Sequence, residues 1–373
     1  MRVRRRSLIP FIFIAQTVLF LAHLLLYETW TFSQANGHTV GPLWIKLGLG
    51  LLSLVFLPAS TLAFRYTSAP VRVFYRIAAV WMGLLSFLFV AAACSWIIYA
   101  FALSTGLPAH FHRLVELLFG VAILAGIYGV INASWTRVTR ITVRLANLPV
   151  AWQGRRAALI SDLHLGPVRN GNFLRRMIAT ILREKPHAVF IAGDLYDGTA
   201  IDAAKAAAPL NKLTSAPNGV YFVAGNHEQF RDHSKYLNAV AAAGVRVLNN
   251  EKVEVDGLQI AGVHYGDASQ PRGFQAALNG IGLDRDRASI LVTHAPDYPE
   301  IAEAAGVSLQ LSGHTHLGQF IPWSWIARRI YRQFVYGLSR IGKMQVFTSS
   351  GAGTWGPPLR LGSNPEIVML QFE

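Results

Sequence analysis

Residues 157–164 read AALISDLH, and the character of the chain changes at this stretch. Four apolar residues in a row are typical of a buried strand, and here an aspartate and a histidine follow at once. Polar residues also follow four later apolar runs, at 188–191, 220–223, 289–292 and 307–311. Helical stretches separate some of the runs, at 173–184, 202–213 and 233–243. This alternation predicts an α/β domain in which helices cover a sheet.

The polar residues after these runs are of the kinds that bind metal ions: Asp162, His164, Asp194, Asn226, His294, His314 and His316. Because ligands gather at the carboxyl ends of strands in α/β sheets, we expect these side chains at one rim. Carboxylates in one crevice repel each other unless cations lie between them. The glycines before Asp194, Asn226 and His314 are expected to let the backbone turn tightly. Oxygen and imidazole ligands without thiolate suit Mn²⁺, Fe, Zn²⁺ or Mg²⁺.

The order of these motifs resembles the calcineurin-like metallophosphoesterase superfamily. The motifs are Asp-x-His, Gly-Asp, Gly-Asn-His-Glu, a later His and Gly-His-x-His, and the resemblance runs from about Ala157 to the C-terminus. The tail at 353–358, with Arg360 and Gly362, is similar to the branch of transmembrane proteins with a metallophosphoesterase domain. That branch includes lipid-A-pathway pyrophosphatases. The resemblance implies a β-sandwich flanked by helices. Leu317 and His264 depart from the branch, in which a glycine and often an aspartate stand there.

The resemblance also implies a role for each residue. The ligands expected for the first of two divalent metal ions are Asp162, His164 and His316. Those expected for the second are Asn226, His294 and His314. Asp194 is expected to bridge both ions, and His227 to contact the phosphoryl group or protonate the leaving oxygen. The ions would lower the pKa of a shared water, so that metal-bound hydroxide attacks phosphorus. Manganese is the expected metal, with Fe, Zn or Mg as alternatives.

Four apolar stretches precede this domain, at 8–27, 43–64, 77–103 and 114–131. Each is near the ~20 residues that a helix needs to cross a bilayer. Arginines lie before the first stretch, between the second and third, and after the fourth: Arg2, Arg4, Arg5, Arg6, Arg65, Arg72, Arg76, Arg137, Arg140 and Arg144. Because basic residues concentrate on the cytoplasmic side, we expect a multi-pass protein of the plasma (inner) membrane with a cytoplasmic catalytic domain.

The composition agrees with this division. With 52% hydrophobic residues and a mean hydropathy of +0.34, the chain is too apolar for an ordinary soluble enzyme. Much of the net charge of +14 is explained by the basic residues at span ends, so no specific nucleic-acid binding is expected. Cys94 is the single cysteine, which excludes an intramolecular disulfide and a thiolate metal site.

We therefore predict three parts: a four-helix transmembrane region at 1–135, a linker at 136–153 and a phosphoesterase domain at 154–373. The predicted function is hydrolysis of a phosphoester or pyrophosphate bond in a lipid-linked substrate, with UDP-diacylglucosamine as the candidate. One alternative is a phosphodiesterase or nuclease that acts on soluble nucleotides or nucleic acid. Another is a non-catalytic membrane sensor, which would be expected to lack ligands, whereas all seven positions are filled here.

The segment at 320–334 bears on the substrate, because it mixes aromatic, aliphatic and arginine residues directly after the last candidate ligands. Two interpretations remain open. It packs on the domain and stabilises it, or it enters the lipid headgroup layer with Trp323, Trp325, Arg328, Arg329 and Arg332. In the second case the bilayer would be a partner, and a lipid-borne phosphate would gain proximity to the site.

Overall fold

The computed structural model describes residues 8–34, 42–107, 110–230 and 232–373. The chain divides into two compact units, residues 1–131 with 356–359 and residues 132–355 with 360–373. Part of the predicted orientation rests on residues outside the described ranges, namely Arg2, Arg4, Arg5 and Arg6.

Four long helices form the N-terminal part of the described chain: α1 (Leu8–Gln34), α2 (Leu43–Arg65), α3 (Ala69–Thr105) and α4 (Phe111–Ala133). Each is long and apolar enough to cross a membrane, with mean hydropathy from 1.6 to 2.3 in its apolar window. They contain the four predicted stretches. Helix α3 starts eight residues earlier than its apolar run, because Ser68 is its N-cap and Pro70 is tolerated in a first turn.

Several polar side chains within these helices have hydrogen-bond partners, as an apolar environment favours. The indole of Trp81 donates to His23 Nε2 at 2.9 Å, and His23 Nδ1 lies 2.7 Å from the Leu19 carbonyl. The indole of Trp96 donates to the Thr29 hydroxyl at 2.9 Å. These bonds join α3 to α1.

The second unit begins with strands that alternate with helices: β1 (Arg137–Val143), β2 (Arg156–Ile160), α5 (Gly171–Arg183), β3 (Ala188–Ala192), α6 (Ala203–Ala207), β4 (Val220–Val223), α7 (His233–Ala242) and β5 (Arg246–Val247). Its middle contains β6 (Glu251–Val255), β7 (Leu258–Gly262), α8 (Tyr265–Ala268), α9 (Pro271–Ile281), β8 (Ser289–Val292), α10 (Pro299–Ala304) and β9 (Leu309–Ser312). It ends with α11 (Trp323–Tyr331), β10 (Gly337–Ile341), β11 (Met344–Thr348) and β12 (Glu366–Phe372).

These strands form two six-stranded sheets, in the orders β1-β12-β2-β3-β4-β5 and β10-β11-β9-β8-β7-β6. Strands β2, β3, β4 and β5 are parallel, as are β7, β8, β9 and β11. The five apolar runs of the sequence are strands, as predicted. The predicted helix at 202–213 is α6 followed by a 3-10 turn (Ala208–Ser215), in which Pro209 cannot donate an α-helical hydrogen bond.

Alternation along the strands builds a four-layer sandwich. Ala157 and Leu159 of β2 belong to the core between the sheets, together with Ile290 of β8. Their neighbour Ile160 belongs to a second core under α5, α6 and α7. A third core covers the outer face of the other sheet beneath α9 and α10. Because successive side chains of a strand point to opposite faces, a strand covered on both sides is apolar throughout. The sandwich that the family resemblance implied is present.

The stretch at 136–153 differs from the linker that the sequence suggests. Strand β1 pairs in parallel with β12 along its full length, from Arg137 opposite Glu366 to Val143 opposite Phe372. Trp152 is fully buried, its indole N–H donates to the Val255 carbonyl at 2.8 Å, and its ring packs edge-on against Phe372. Alternating basic residues hide this strand in the sequence, because β1 is an edge strand with one face only partly covered.

Trp152 provides a test of this correction. Replacing Trp152 with Ala should destabilise the domain by about 3–5 kcal/mol, because it empties a buried volume and leaves the Val255 carbonyl unpaired. The midpoint of thermal unfolding of the purified chain should fall by roughly 10 °C. Val150→Ala is the matched control, since Val150 is 81% exposed in the same turn. Equal midpoints for the two variants would mean that the stretch is a linker after all.

Candidate metal centre

The candidate ligands stand at the carboxyl ends of five strands, distributed over both sheets. Asp162, Asp194 and Asn226 follow β2, β3 and β4 of the first sheet. His294 and His314 follow β8 and β9 of the second. The site therefore lies where the two sandwiched sheets end together, rather than at the rim of one sheet. The sequence alone cannot distinguish these arrangements, because a strand-end residue looks the same in either.

Backbone conformation is unusual at these ligands. Five non-glycine residues have positive φ angles between 48° and 70°: Asp162, His164, Asp194, His314 and His316. Such conformations cost about 1–3 kcal/mol each and concentrate at functional sites. The glycines next to the ligands have a second role besides allowing the backbone to turn, because they leave space for a carboxylate. A Cβ on Gly225 would overlap the Asp194 carboxylate, and one on Gly313 would overlap that of Asp162. Of the glycines that precede Asp194, Asn226 and His314, only Gly193 has a positive φ. Gly225 and Gly313 are therefore needed for space beside a carboxylate and not for a left-handed backbone.

The first group of side chains contains Asp162, His164 and His316. Nε2 of His164 lies 3.0 Å from Nε2 of His316, which lies 3.5 Å from Asp162 Oδ1. Nε2 of His164 also lies 3.7 Å from Asp194 Oδ2. These atoms belong to buried side chains. Their separations are those of neighbouring ligands around one ion.

The second group contains Asn226, His294 and His314. Nε2 of His294 lies 2.9 Å from Asn226 Oδ1, 3.0 Å from His314 Nδ1 and 3.3 Å from Asp194 Oδ2. Asp194 Oδ2 is thus within 3.7 Å of the first group and 3.3 Å of the second. One carboxylate oxygen is shared between two sets of candidate ligands.

The candidate ligand atoms of the second group require a positive charge among them. His294 Nδ1 lies 2.8 Å from the Ala192 carbonyl, which can only accept, so Nδ1 carries the proton. In the neutral ring, Nε2 then has a lone pair, which faces the lone pairs of Asn226 Oδ1 and Asp194 Oδ2. Burial alone would lower the pKa of His294, but the Asp194 carboxylate raises it to about 10, so a proton supplies the charge here. A divalent cation satisfies the same geometry with oxygen and imidazole ligands.

The two carboxylates are held in place before any cation binds. Burial raises the pKa of Asp162, and the nearby Asp194 charge adds to this effect. Burial would also raise the pKa of Asp194, yet His294 and other imidazoles lower it below its usual range. Backbone N–H groups contribute as well: His314 donates to Asp162 and His227 donates to Asp194 Oδ1 at 2.9 Å. Each acid therefore has a fixed orientation.

His227 lies beside the ligands with one nitrogen committed elsewhere. Its Nδ1 lies 3.0 Å from the Asp197 carbonyl and donates to it, which turns Nε2 toward the site. Nε2 is 3.9 Å from Asp194 Oδ2, farther than the closest ligand pairs. The His227 ring meets that of His164 edge to face at 4.7 Å between centroids. This position suits contact with a bound substrate.

Three further residues support the site without having been assigned a role from the sequence. Glu228 is fully buried and accepts backbone N–H bonds from Asp194, Tyr196 and Gly225 at 2.7–3.1 Å. Asp197 Oδ1 lies 3.6 Å from His164 Nδ1. Arg360 is fully buried, donates to the carbonyls of Gly351 and Gly353, and lies 3.1 Å from His316 Nδ1. The motif Gly-Asn-His-Glu contained the signal for Glu228, since an unpaired buried carboxylate would be very costly.

The two departures from the family pattern have different surroundings. Leu317 adopts φ 50° and ψ 33°, a conformation that favours glycine, and packs with Ala327 and Val335. His264 caps α8, because its Nδ1 accepts the N–H of Gly266 at 3.0 Å. Neither side chain belongs to the groups of candidate ligands.

Glu228 offers a test of this framework. Glu228→Gln keeps the size of the side chain but replaces one acceptor oxygen with an amino group, which faces backbone N–H donors. At about 1–3 kcal/mol for a lost buried bond, the midpoint of thermal unfolding should fall by roughly 5 °C. Glu300→Gln, on the exposed first turn of α10, should leave the midpoint unchanged. An unchanged midpoint in both would show that Glu228 does not hold these loops.

Comparison with known proteins agrees with this architecture. A family model described as calcineurin-like phosphoesterase matches residues 155–318. An uncharacterized metallophosphoesterase of Aquifex aeolicus is 33% identical over 261 residues, which are 68% of this chain and 98% of the relative. An uncharacterized metallophosphoesterase of Campylobacter jejuni is 33% identical over 242 residues, 63% of each chain.

A transmembrane protein with metallophosphoesterase domain from Danio rerio is 31% identical over 276 residues, 69% of this chain and 62% of the relative. The chain thus spans about three fifths of the length of the Campylobacter and zebrafish relatives. The match to the Aquifex protein extends over more than two thirds of this chain and almost all of the relative. The chain therefore belongs to the calcineurin-like metallophosphoesterases.

Proposed function

We propose that this chain is a membrane-anchored phosphoesterase that uses two divalent metal ions. Asp162, His164 and His316 would hold one ion, and Asn226, His294 and His314 would hold the other. Asp194 would contribute to both. The observation that carries this proposal is the position of Asp194 Oδ2, 3.7 Å from His164 Nε2 and 3.3 Å from His294 Nε2. An oxygen shared between two sets of ligands is what a two-metal site requires.

Two cations held in this way supply positive charge against the phosphoryl oxygens and make a water molecule more acidic. The protein contributes ligands whose orientation is set in advance. Ala192 fixes the ring of His294 through its carbonyl, and Asp197 fixes the ring of His227 in the same way. His227 Nε2 then faces the space where a phosphoryl or leaving-group oxygen would lie. We propose manganese as the metal, with iron, zinc and magnesium as alternatives that share these ligand types.

A contrast between two variants tests these roles. Asp194→Asn removes the shared charge, so metal content and hydrolysis of an aryl phosphate should fall together. His227→Ala should keep near-normal metal content while turnover falls by roughly 10²–10⁴-fold, the range for a lost acid–base group. Metal content is measured by mass spectrometry, and chelation followed by Mn²⁺ serves as the positive control. Full activity in Asp194→Asn, or loss of metal in His227→Ala, would overturn the corresponding assignment.

We propose that the catalytic domain is cytoplasmic and that the anchor lies in the inner membrane. The support is the placement of basic residues at span ends, with Arg65, Arg72 and Arg76 between α2 and the apolar part of α3, and Arg137 and Arg140 after α4. Strand β1 begins within four residues of the end of α4, so only a short connection joins the domain to the last candidate span.

Reporter fusions test this orientation. A reporter after Arg140 and another near Arg72 should both behave as cytoplasmic, because an even number of spans separates them. A reporter at 36–39, outside the described residues, should behave as external. An external result after Arg140 would remove the proposed topology and would require one candidate helix not to span.

We propose a lipid-linked phosphoester or pyrophosphate as the substrate, with UDP-diacylglucosamine as the candidate. Helix α11 supports this choice. Its inner side, with Ala327 and Tyr331, packs against Leu317 beside the ligand His316. Its outer side exposes four large apolar residues: Trp323, Trp325, Ile326 and Ile330.

The charge around α11 also suits anionic lipid. Arg328, Arg329 and Arg332 are exposed on or directly after the helix. No Asp or Glu occurs between positions 304 and 365. A helix with apolar and arginine residues and no acid resembles segments that lie in the headgroup layer. A domain tethered at that level would bring a lipid phosphate to the site without a separate encounter.

Replacing both Trp323 and Trp325 with Ala should lower turnover of a lipid-linked substrate by at least tenfold and leave hydrolysis of a soluble aryl phosphate within about twofold. The matched control replaces both with Leu, which keeps the apolar surface and should keep lipid turnover. Both variants are assayed as the full chain in nanodiscs that contain anionic lipid. Equal losses with both substrates would favour a packing role for the segment. A strong preference for soluble nucleotides over every lipid would favour a soluble-nucleotide phosphodiesterase.

A further inference from the structure

Two tyrosines border the second group of candidate ligands. Tyr265 begins α8, and its ring lies 5.6 Å from that of His294 and 6.1 Å from that of His314, between centroids. Tyr331 ends α11, and its ring lies 6.2 Å from that of His314. Both rings are partly exposed. Both rings thus lie beside the ligands proposed for the second metal ion.

Asp297 comes three residues after His294, and it is partly exposed. Burial raises the pKa of Asp297, and the nearby His294 partly offsets this. Burial also raises the pKa of each tyrosine, and the charge of Asp297 adds to this effect. This electrostatic influence agrees with the place of Asp297 in the chain, close behind the histidine that the ring of Tyr265 borders.

These side chains have unused hydrogen-bonding capacity. In the described part of the chain, neither phenol oxygen forms a hydrogen bond, and the Asp297 carboxylate has neither a hydrogen bond nor an ion pair. Elsewhere in the domain, half-buried and buried acids of the site region are paired: Glu228 accepts three backbone N–H groups and Asp194 accepts one. Half-buried polar side chains without a hydrogen-bond partner in the protein are available to a ligand.

Backbone strain is found directly after two of the three residues. Tyr298, which follows Asp297, has φ 47° and ψ 50°. Arg332, which follows Tyr331, has φ 51° and ψ −126°, the conformation of the first central residue of a type II′ turn, where glycine is favoured. Each costs about 1–3 kcal/mol, and such costs concentrate where a precise side-chain direction is required. Here the strained residues directly follow side chains that have no hydrogen-bond partner within the described part of the protein.

The chemistry of the group restricts what it can bind. An ionised carboxylate accepts hydrogen bonds and repels phosphate, so the part of a ligand at Asp297 must bring hydrogen-bond donors. Phenol groups both donate and accept, and their flat rings offer a surface for the carbon skeleton of a ring. A sugar ring has hydroxyl donors and such a skeleton, and it is small enough to lie beside a phosphate.

We propose that Tyr265, Asp297 and Tyr331 form a subsite that binds a hydroxyl-bearing sugar ring attached to the phosphate that is cleaved. This assignment rests on the proposed phosphoesterase function and adds the group that neighbours the phosphate. Asp297 accepts bonds from ring hydroxyls, and the two phenols flank the ring. The residues position the substrate and select it.

The test compares glucose 1-phosphate with cyclohexyl phosphate, which has a ring of the same size without hydroxyls. With the Mn²⁺-loaded full chain in detergent, kcat/KM for glucose 1-phosphate should exceed that for cyclohexyl phosphate at least tenfold. Asp297→Asn and Tyr331→Phe should lower kcat/KM for glucose 1-phosphate by about 10–100-fold, mainly through KM, because each loses a buried polar contact. Hydrolysis of cyclohexyl phosphate should stay within about twofold. Asp286→Asn, an exposed acid, is the control and should change neither.

Two further measurements separate this proposal from the proposed function. Calorimetric titration of the same two phosphates into the slow His227→Ala variant measures the subsite with little turnover, and 4-nitrophenyl phosphate hydrolysis by the wild type measures the chemistry alone. Loss of aryl phosphate hydrolysis in the wild type would remove the phosphoesterase proposal, while a tenfold tighter binding of glucose 1-phosphate would still support the subsite. Equal binding of the two phosphates would overturn the subsite. A fall in metal content in Asp297→Asn would also overturn it, because Asp297 would then be a metal ligand.

Discussion

Two carboxylates, Asp162 and Asp194, are buried within the same crevice, and the structure around them is arranged to make this tolerable. Their negative charges repel in a region from which water is largely excluded. Imidazoles from both sheets surround them, and backbone N–H groups of His227 and His314 point at them. The residue beside each carboxylate is a glycine where a Cβ would overlap it, namely Gly225 and Gly313. The proposed metal ions complete an arrangement that already requires positive charge.

This requirement explains the strained backbone of the site. Strands of a sandwich end in fixed directions, whereas a cluster of ligands needs side chains that converge. Left-handed conformations at five of the ligands turn the chain back over the strand ends. The energy lost there is offset by the surrounding sandwich, whose three apolar cores are continuous along the strands. Glu228 and Arg360 hold the same loops through hydrogen bonds to backbone groups, and Arg360 also lies 3.1 Å from His316 Nδ1.

Sites on the rim of such a scaffold can change specificity without disturbing the ligands. Leu317 stands in a left-handed conformation that favours glycine, and its side chain packs beneath α11. Helix α11 presents arginine and large apolar residues on its other side, and Tyr331 at its end faces His314. One short helix thus lies between the candidate ligands and the surface that we propose meets lipid. Tyr265, at the start of α8, borders His314 as well.

Much of the fold and the site could be predicted from the sequence, because the relevant signals are local. Strands that are covered on both faces are apolar throughout, so short apolar runs identify β2, β3, β4, β8 and β9. Long apolar stretches identify the four helices. The residues at the strand ends are contiguous with those runs, so the candidate ligands were found with them. The hairpin of β6 and β7 was missed although Asp256-Gly257, both with positive φ, is a typical two-residue turn.

Other features depend on partners that are far apart in the chain. Strand β1 was taken for a linker because its pairing with β12 joins residues 137 and 366. The assignment of strands to two sheets, and the placement of Asp194 Oδ2 between two groups of side chains, exist only after the sheets have packed. The same holds for Arg360 beside His316, and for Tyr265 and Tyr331, which come from two different helices and both lie beside His314. The sequence determined which residues end each strand, through the local preference of apolar runs for burial. The tertiary structure decided which of those residues meet, because their convergence depends on long-range packing that no single stretch encodes.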